Sequence, residues 1–410
     1  MDVAQSATAF RDCQSLHPYQ AILFFVMADR CGCRHREYTF AMTSNRPHLA
    51  VLCALLLATA ACTGVAPRPA ATVPGPAAKA APVALTEAFV SDAHANEELD
   101  SLAAWPTEDG RLWVIATAKA THRLKVFDGD TGAFLRHAGS RGADPGQFNR
   151  PNGIAVHGDL VFVVERDNRR VQVLSLPGFE PVGAFGQAEL RSPYGLWLHE
   201  TAPDELEVFV TDSFMQGERF DVVPPLDELD QRVRRYRVTI DGEGGLVARD
   251  AGAFGSTRPD TALRMVESIA GDPAAGRLLI ADEDRRHRST LYEYRMDGRA
   301  TGRRVPDASF GAEAEGIALW SCPDGGGYWV AVDQLMPLAE FHLFQRDALT
   351  PVGSFRGGTV SYTDGIALHA TPTRAFPGGA LYAVHGDRAV AAFDLRDVVR
   401  ALALDSGCVE

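Results

Sequence analysis

A short pattern of polar and apolar positions recurs six times along the chain. Each copy has a polar residue, a small one, an apolar one and two more small or apolar residues. After a turn, a second apolar run ends at or near a polar residue. The six copies begin at Asp100, Asn152, Tyr194, Glu267, Glu315 and Asp364. Short apolar runs between turns predict β-strands, and a period of about 40 to 50 residues is typical of propeller blades. The pattern therefore predicts an all-β, six-bladed β-propeller.

The second copy shows how one blade is built. Its predicted strands are 152–156, 160–164, 170–174 and 180–185, with glycine, aspartate or proline between them. Alternating apolar and polar positions in the third strand indicate one half-buried face. In the first strand, glycine after the polar residue allows backbones to approach closely around a central channel.

The last blade lacks an outer strand of its own, because its third strand runs into a segment at 395–402 that is predicted to be a short C-terminal helix. We expect 84–90 to supply the missing strand, which closes the ring and leaves no open edge. The predicted propeller domain is 85–405. The longest interval between copies holds an insertion at 213–232, which is either functional or a surface loop without a role.

Charge and cysteine content narrow the classes of function. The 410 residues include 53 acidic and 40 basic side chains, for a net charge of −13. This balance argues against nucleic-acid binding, which needs a basic surface, and is compatible with a site for cations. Of seven cysteines, only Cys322 and Cys408 lie within or after the repeats. Whether they form a disulfide is left open, because pairing depends on geometry.

The region before the repeats has the features of an export signal. A basic stretch after Met42 precedes an apolar run and small residues at 49–61, too short for a stable membrane span, and Cys62 follows. The predicted segments are an upstream extension from a misassigned start, a signal peptide and an Ala/Pro-rich linker: 1–41, 42–61 and 62–84. Residues 59–62 resemble a lipobox, so we expect a bacterial lipoprotein anchored to the outer membrane through Cys62. The alternative is an ordinary signal peptide and a periplasmic or secreted protein.

Carboxylates concentrate at one mouth of the predicted channel, where first strands begin and second strands end. The acidic residues at this rim are Asp100, Glu165, Asp212, Glu267, Asp282, Glu283, Asp284, Glu313, Glu315, Asp333 and Asp364. Each alone is compatible with a turn or a solvated position. Crowded carboxylates repel, however, unless cations or raised pKa values offset the repulsion. Calcium takes six to eight oxygen ligands in irregular geometry and is the cation that fits such a ring.

Other chemistries lack their residues. The histidines are scattered, which argues against zinc, and the sequence has no Gly-x-Ser-x-Gly element and no P-loop glycine pattern. Metal-assisted hydrolysis or no catalysis remains. Lys119 and Arg166 follow second strands at the same mouth, where each either meets an anionic oxygen or pairs with a neighbouring acid. Tyr194 has a hydroxyl that both donates and accepts hydrogen bonds.

Several segments together carry a family resemblance. They are Asp100-Ser-Leu-Ala-Ala-Trp105, Ser192-Pro-Tyr-Gly195, Glu267-Ser-Ile-Ala270, Ile280-Ala-Asp-Glu-Asp284, Glu313-Ala-Glu-Gly-Ile317, Gly326-Gly-Tyr-Trp-Val-Ala331, Tyr362-Thr-Asp-Gly-Ile366 and Pro377-Gly-Gly-Ala-Leu-Tyr382. Over about 85–402 the chain resembles the β-propeller phytases, which are calcium-dependent six-bladed phosphohydrolases. One departure is the segment that begins at Asp212, where the family has a Lys-Glu pair.

The resemblance implies an exported, monomeric, calcium-dependent phosphomonoesterase that touches the membrane only through its lipid anchor. Its substrate would be phytate (myo-inositol hexakisphosphate) or a related phosphate ester, hydrolysed by metal-activated water. The implied calcium ligands are Asp100, Glu267, Asp282, Glu313, Glu315 and Asp364. The implied catalytic residues are Glu267, Glu315 and Asp364, and the implied contacts to substrate phosphates are Lys119, Arg166 and Tyr194.

Two alternative functions remain open from the sequence. Residues 146–156 and 167–172 in the second blade are similar to an NHL repeat, which favours a non-catalytic propeller that binds a protein or ligand. A calcium-dependent lactonase is another six-bladed class with a metal in the channel. That class would use asparagines among its metal ligands, and here only Asn152 leads a blade.

Overall fold

The strands follow the sequence repeat blade by blade. The computed structural model describes residues 80–240 and 245–410, which contain 25 strands and one α-helix. The first three blades are β3 (Leu99–Pro106), β4 (Leu112–Ala118), β5 (Arg123–Asp128) and β6 (Phe134–Ala138); β7 (Pro151–His157), β8 (Leu160–Glu165), β9 (Arg170–Ser175) and β10 (Glu180–Phe185); and β11 (Pro193–Ala202), β12 (Glu205–Asp212), β13 (Val233–Ile240) and β14 (Leu246–Phe254).

Blades four to six continue the same order. They are β15 (Val266–Asp272), β16 (Arg277–Asp282), β17 (Thr290–Arg295) and β18 (Ala300–Arg304); β19 (Ala314–Ser321), β20 (Gly327–Asp333), β21 (Glu340–Gln345) and β22 (Pro351–Arg356); and β23 (Ile366–His369), β24 (Ala380–His385) and β25 (Ala389–Asp394). The remaining elements are β1 (Val83–Ala84), β2 (Phe89–Val90), helix α1 (Leu395–Leu402) and 3-10 turns at Leu226–Glu228, Pro273–Ala275, Arg285–His287 and Ser406–Val409. The protein is a six-bladed β-propeller with one short C-terminal helix, as the sequence predicted.

The N-terminal strands complete the last two blades. Strand β2 pairs antiparallel with β25, with Phe89 opposite Ala392, and becomes the outer strand of blade six. This confirms that 84–90 supplies the closing strand. Strand β1 adds a fifth strand, parallel to β22 of blade five, which the sequence did not predict. The predicted extension and signal peptide, and residues 62–79 of the predicted linker, lie outside the described residues.

The hydrophobic core consists of six apolar clusters, each between two neighbouring blades or, in one case, between blades five and six and α1. Between blades one and two, for example, Trp105, Phe148 and Leu174 are buried together. Because every blade packs two faces in this way, the ring is rigid and the inner strands are held at fixed positions. Within the described residues, no helix has the length and apolar character of a membrane span.

Glycine in the repeat permits close approach between inner strands. A Cβ on Gly195 would lie 2.2 Å from the carbonyl oxygen of Glu267, and one on Gly365 would lie 2.4 Å from that of Asp100. Neither contact is sterically allowed, so a larger residue would push neighbouring blades apart. The glycine in the predicted pattern is therefore explained by backbone contact around the channel.

A β-bulge marks the same point in five inner strands. The pairing of first and second strands shifts between Val266 and Ile269 in blade four and between Ala314 and Ile317 in blade five, with equivalent shifts in blades one, two and three. The bulges contain the polar and small residues of the repeat. A bulge re-aims side chains locally. In these five blades the first residue of the copy is thus displaced from the regular pleat. The period of the sequence repeat does not reveal this displacement.

The C-terminal segment is fixed to blade five by a disulfide. Cys322 follows β19, Cys408 lies in the last 3-10 turn, and the structure joins them with a Cα–Cα distance of 4.5 Å. The disulfide that the sequence left open is therefore formed.

The helix that follows blade six has a side-chain cap. Helix α1 begins after Asp394, whose side chain accepts a hydrogen bond from the Arg396 backbone N–H at 2.8 Å.

Candidate functional site

The repeat pattern lines the central channel. Each blade contributes the second and third residues of its copy, and these residues are Ser101, Leu102, Gly153, Ile154, Gly195, Leu196, Ser268, Ile269, Gly316, Ile317, Gly365 and Ile366. The channel wall thus consists of small and aliphatic residues, and none of these twelve has a charged side chain. Chemistry must therefore come from the side chains at its mouth.

The first residues of the copies surround that mouth. A pocket there is lined by Asp100, Tyr194, Glu267, Glu315 and Asp364, together with small residues of the channel wall. Five of the residues predicted for metal or substrate contact are thus brought together by blades that lie far apart in sequence. The carboxylates crowd on blades one, four, five and six, and Tyr194 contributes a phenol from blade three.

Asn152 occupies the equivalent position in blade two. Its side chain is fully buried, and neither its amide oxygen nor its amide nitrogen has a hydrogen-bond partner in the described residues. A buried amide without partners is costly unless another group satisfies it. Asn152 is therefore a polar group available to a ligand or water on the side of the ring that lacks acids.

Three glutamates form a cluster at the mouth. One carboxylate oxygen each from Glu267, Glu283 and Glu315 lies within 4.8 Å of the other two. No lysine, arginine or histidine among residues 80–240 and 245–410 forms an ion pair with any of them. Glu283 is almost completely buried, and its Oε1 has no hydrogen-bond partner in this part of the chain. An orphaned buried oxygen beside two carboxylates fits a bound cation.

The surroundings raise the pKa values of these groups. Burial is the largest cause for Glu315, and the neighbouring charges of Glu267, Asp364 and Glu313 raise its pKa further. Burial also raises the pKa of Glu283, with Glu267 and Glu315 next in effect. Asp364 has its pKa raised to about 6, mainly by burial, although Lys119 opposes the shift. A divalent cation would relieve this repulsion, because it favours the ionised form of every carboxylate.

Lys119 belongs to this ring as an internal cation. Its Nζ lies 2.6 Å from Asp100 Oδ2 and 3.3 Å from Asp364 Oδ2, and its side chain is about 11% exposed. Burial would lower the pKa of Lys119, but Asp100, Tyr194 and Asp364 together raise it well above the ordinary value. The lysine therefore stays charged and neutralises the blade-one and blade-six side of the ring, while the glutamate cluster has no such partner.

The carboxylates that end the second strands bind backbone amides, and among them is Asp282, which the resemblance implied as a calcium ligand. Asp282 accepts backbone hydrogen bonds from Arg264 at 2.9 Å and from Met265 and Asp284 at 3.1 Å. The equivalent residues Glu165, Asp212 and Asp333 likewise accept backbone N–H bonds from the segment before the inner strand of their own blade. These acids fix the loops that lead into the ring. Asp282 directly precedes Glu283 in the chain but is not one of the three carboxylates that converge at the mouth.

The residue one position later reaches the ring instead. Glu283, Lys119 and Gln334 each directly follow the end of a second strand, and Gln334 donates a hydrogen bond to Asp364 Oδ1. Successive side chains of a strand point to opposite faces, so the last residue and its successor cannot share a role. Glu283 and Gln334 were missing from the predicted ligand set. Comparison of the positions that follow the second strands, Lys119 among them, is the signal that would have found both.

Two further cations lie at the mouth outside the ring. Arg166, predicted to grip phosphate, pairs with its neighbour Asp167 at 2.8 Å, which is the local alternative that the sequence left open. Arg285 is exposed in the turn that follows Glu283, and its charge opposes the rise in the pKa of Glu313 that burial causes. Its guanidinium makes no hydrogen bond or ion pair with the residues that the structure describes.

Cys62, the predicted lipidation site, lies outside the described residues.

A buried ionic network supports the blade-one side of the mouth. Glu97, just before β3, accepts hydrogen bonds from Arg123 at 2.7 Å, from Lys125 at 3.2 Å and from Thr121. Burial would raise the pKa of Glu97, but these partners bring it down to about 2. Its stabilising contribution is therefore complete above the ordinary carboxyl pKa near 4.5 and is lost as the pH falls through about 2.

We expect Glu97→Gln to lower the free energy of unfolding at pH 7 by on the order of 2 to 3 kcal/mol. The deficit should shrink between pH 5 and pH 2, because wild-type Glu97 itself becomes protonated there. Urea unfolding at several pH values measures this. Asp109→Asn is the matched control, since Asp109 also has its pKa lowered to about 2 by Arg111 but is exposed. Water screens that pair, so little change is expected. Equal effects of both substitutions would contradict a role for burial.

Comparisons with known proteins assign neither a family nor an activity to this chain. No family model matches the chain, and no curated protein matches it. Three similar solved structures are hydrazine synthase of Kuenenia stuttgartiensis (14% identity, 77% of this chain and 82% of that one, TM-score 0.44), the gluconolactonase XC5397 of Xanthomonas campestris (16%, 72% and 86%, 0.45) and an inactive virginiamycin B lyase of Staphylococcus aureus with quinupristin (11%, 73% and 96%, 0.41). At these identities and TM-scores the similarities assign no function to this protein.

Proposed function

We propose that this propeller is an exported calcium-dependent phosphomonoesterase of phytase type, which hydrolyses phytate or a related phosphate ester at the mouth of its channel. The observation that carries the proposal is the cluster of Glu267, Glu283 and Glu315, whose oxygens lie within 4.8 Å of one another and which has no cationic side chain as an ion-pair partner in the described residues. Three converging carboxylates are hard oxygen ligands of the kind that calcium prefers.

The residues divide into a cation side and a substrate side. Glu267, Glu283 and Glu315 would hold the ion, with Asp364 and Glu313 adding negative charge. When bound, calcium would activate water and offset the charge of the phosphoryl oxygens. The set of calcium ligands implied by the family resemblance changes in one respect, because Glu283 takes the place of Asp282.

On the substrate side, three groups can meet phosphoryl oxygens. Tyr194 lines the pocket and can donate its hydroxyl proton, since burial raises its pKa well above the ordinary value and keeps the phenol protonated. Lys119 is charged and lies beside Asp100 and Asp364. Arg285 is exposed at the edge of the cluster and can approach a phosphate in bidentate geometry. The charges of Lys119 and Arg285 and the hydroxyl of Tyr194 explain how an acidic protein would orient a polyanion.

Phosphate release is the direct test. Purified protein should release inorganic phosphate from phytate or from simpler monoesters when calcium is present, and a chelator should abolish release because the glutamate cluster then holds no cation. Returning calcium should restore activity, which separates metal loss from unfolding. Absence of release from every ester, with calcium bound, would favour a propeller that binds a ligand without catalysis.

A calcium-dependent lactonase is the second candidate, and Asn152 favours it. The buried amide of Asn152 has no partner in the described residues, and Asn152 is the first residue of its copy, as Glu267 and Glu315 are of theirs. An assay of lactone hydrolysis distinguishes the two candidate functions. Acid released from simple lactones is measured with a pH-stat under the same calcium and chelator conditions. If the protein is a lactonase, Asn152→Ala should abolish lactone hydrolysis. If it is a phosphomonoesterase, the same substitution should leave phosphate release largely intact.

Export is proposed together with this activity. The Cys322–Cys408 disulfide supports it, because such bonds persist in oxidising compartments and are rare in the cytosol. We propose a lipid anchor at Cys62 as the only membrane attachment, with a periplasmic or secreted form as the alternative, and a monomer acting on a small phosphate ester.

A further inference from the structure

Arg232 is a fully buried arginine that forms no ion pair with a carboxylate among the described residues. It ends the insertion 213–232, and every hydrogen bond of its guanidinium goes to a backbone carbonyl. Two of these carbonyls, those of Asp212 and Phe214, lie at the start of the same insertion, at 3.1 and 2.6 Å. Its guanidinium also lies 4.3 Å from the centre of the Phe214 ring. One side chain thus joins the two ends of the insertion.

The other two carbonyls belong to blade four. Arg232 Nη2 donates to the Arg264 carbonyl at 2.8 Å, and Nε donates to the Leu263 carbonyl at 3.3 Å. The opposite edge of this segment is held by Asp282, which accepts the N–H groups of Arg264 and Met265. Segment 263–265 is therefore clamped from both sides, by the arginine on its carbonyls and by the aspartate on its amides.

Both blade-four glutamates of the cluster depend on this segment. Glu267 follows Met265 by two residues, at the bulge of β15. The backbone N–H of Glu283 donates to the Met265 carbonyl at 2.9 Å. A shift of 263–265 would therefore move Glu267 along the chain and Glu283 through its hydrogen bond, and would change the spacing of their carboxylates. Groups that orient ligands in this way commonly change metal affinity about 10- to 100-fold when they are removed.

We propose that Arg232 is a positioning residue, which sets the separation of Glu267 and Glu283 and couples the blade-three insertion to the cation site. The coupling part rests on the proposed function, because it requires that the cluster binds calcium. The insertion then has a role, because the same guanidinium holds its two ends together and fixes the position of 263–265. Ion binding and the order of the insertion should then favour each other.

The test compares Arg232→Met with Arg277→Met in the full-length protein. Arg277 is also buried, and it bonds to Asp272, Glu293 and the Arg346 carbonyl at the opposite end of β16. Both variants should lose stability. Only Arg232→Met should weaken calcium affinity, by about tenfold or more in isothermal titration. Arg232→Lys, which keeps the charge but not the fork of donors, should be intermediate and serves if the methionine variant does not fold.

Hydrogen exchange without calcium gives a second readout. In Arg232→Met the amides of Arg264, Met265 and Glu283 should exchange faster, while those of the blade-two strand β8 should not. Exchange at these three amides that matches wild type would overturn the proposal, and so would a calcium affinity lowered equally by the Arg277 substitution. If wild type binds no calcium, the proposed function fails, and the exchange data still decide whether Arg232 holds the segment.

Discussion

Glu315→Gln is expected to remove the thermal stabilisation that the proposed calcium ion would give this protein. Calcium at 100 times its dissociation constant would stabilise the wild type by about 2.7 kcal/mol. The substitution takes one of three converging carboxylates from the cluster, which should weaken calcium affinity by at least about 100-fold and reduce the stabilisation to near zero. Phosphate release should fall to background for the same reason. Melting temperature with and without calcium, up to about 10 mM, measures the first effect.

The same substitution should have the opposite effect on the calcium-free protein. Burial is the main cost of a charge on Glu315, and repulsion by Glu267 and Glu283 adds to that cost when no ion is bound. A neutral amide of the same shape relieves both, so calcium-free Glu315→Gln should melt at or above the wild-type temperature. Glu293→Gln is the control: Glu293 is buried but pairs with Arg277 and Arg303. It should melt lower and keep the full calcium response. An unchanged response in Glu315→Gln would exclude Glu315 from the cation site.

Removal of the closing strands should have the largest effect on stability. A chain that begins at residue 93 loses β1 and β2, including the backbone bonds of Ala88 and Ser91 to blade six at 2.8 Å. It also loses Glu87, whose carboxylate accepts N–H bonds from Gly358, Thr359 and Val360. The open edge of β25 would then be free to pair with other molecules. Loss of several kcal/mol, a melting temperature lower by about 10 °C or more, and aggregation on heating are expected.

A chain that begins at residue 80 is the matched control for this truncation. It keeps both strands and should melt at the temperature of the full-length protein. Phe89→Ala in the full-length chain isolates one contribution, since Phe89 packs near Phe376 and Tyr382, and should cost part of the difference. If the chain that begins at residue 93 had the same melting temperature as the chain that begins at residue 80, the two N-terminal strands would contribute nothing to ring closure.

The repeat determined the architecture because each blade is a local unit. A strand pattern of period two and a recurring polar-small-apolar element identify four strands and an inner position without knowledge of neighbours. Counting copies gave six blades, and the missing outer strand of the last copy gave the closure by β2. The same register placed Asp100, Tyr194, Glu267, Glu315 and Asp364 at one mouth, where the structure has them.

Tertiary structure alone decided which side chains act together at that mouth. Glu283 and Asp282 are adjacent and equally acidic in sequence, but the pleat turns one into the cluster and the other onto the loop amides. The pairing of Lys119 with Asp364 joins residues 245 positions apart, and the bonds of Arg232 cross between blades. Such contacts depend on ring closure and on bulges that re-aim single side chains. A pattern that repeats within each blade contains no information about contacts between blades.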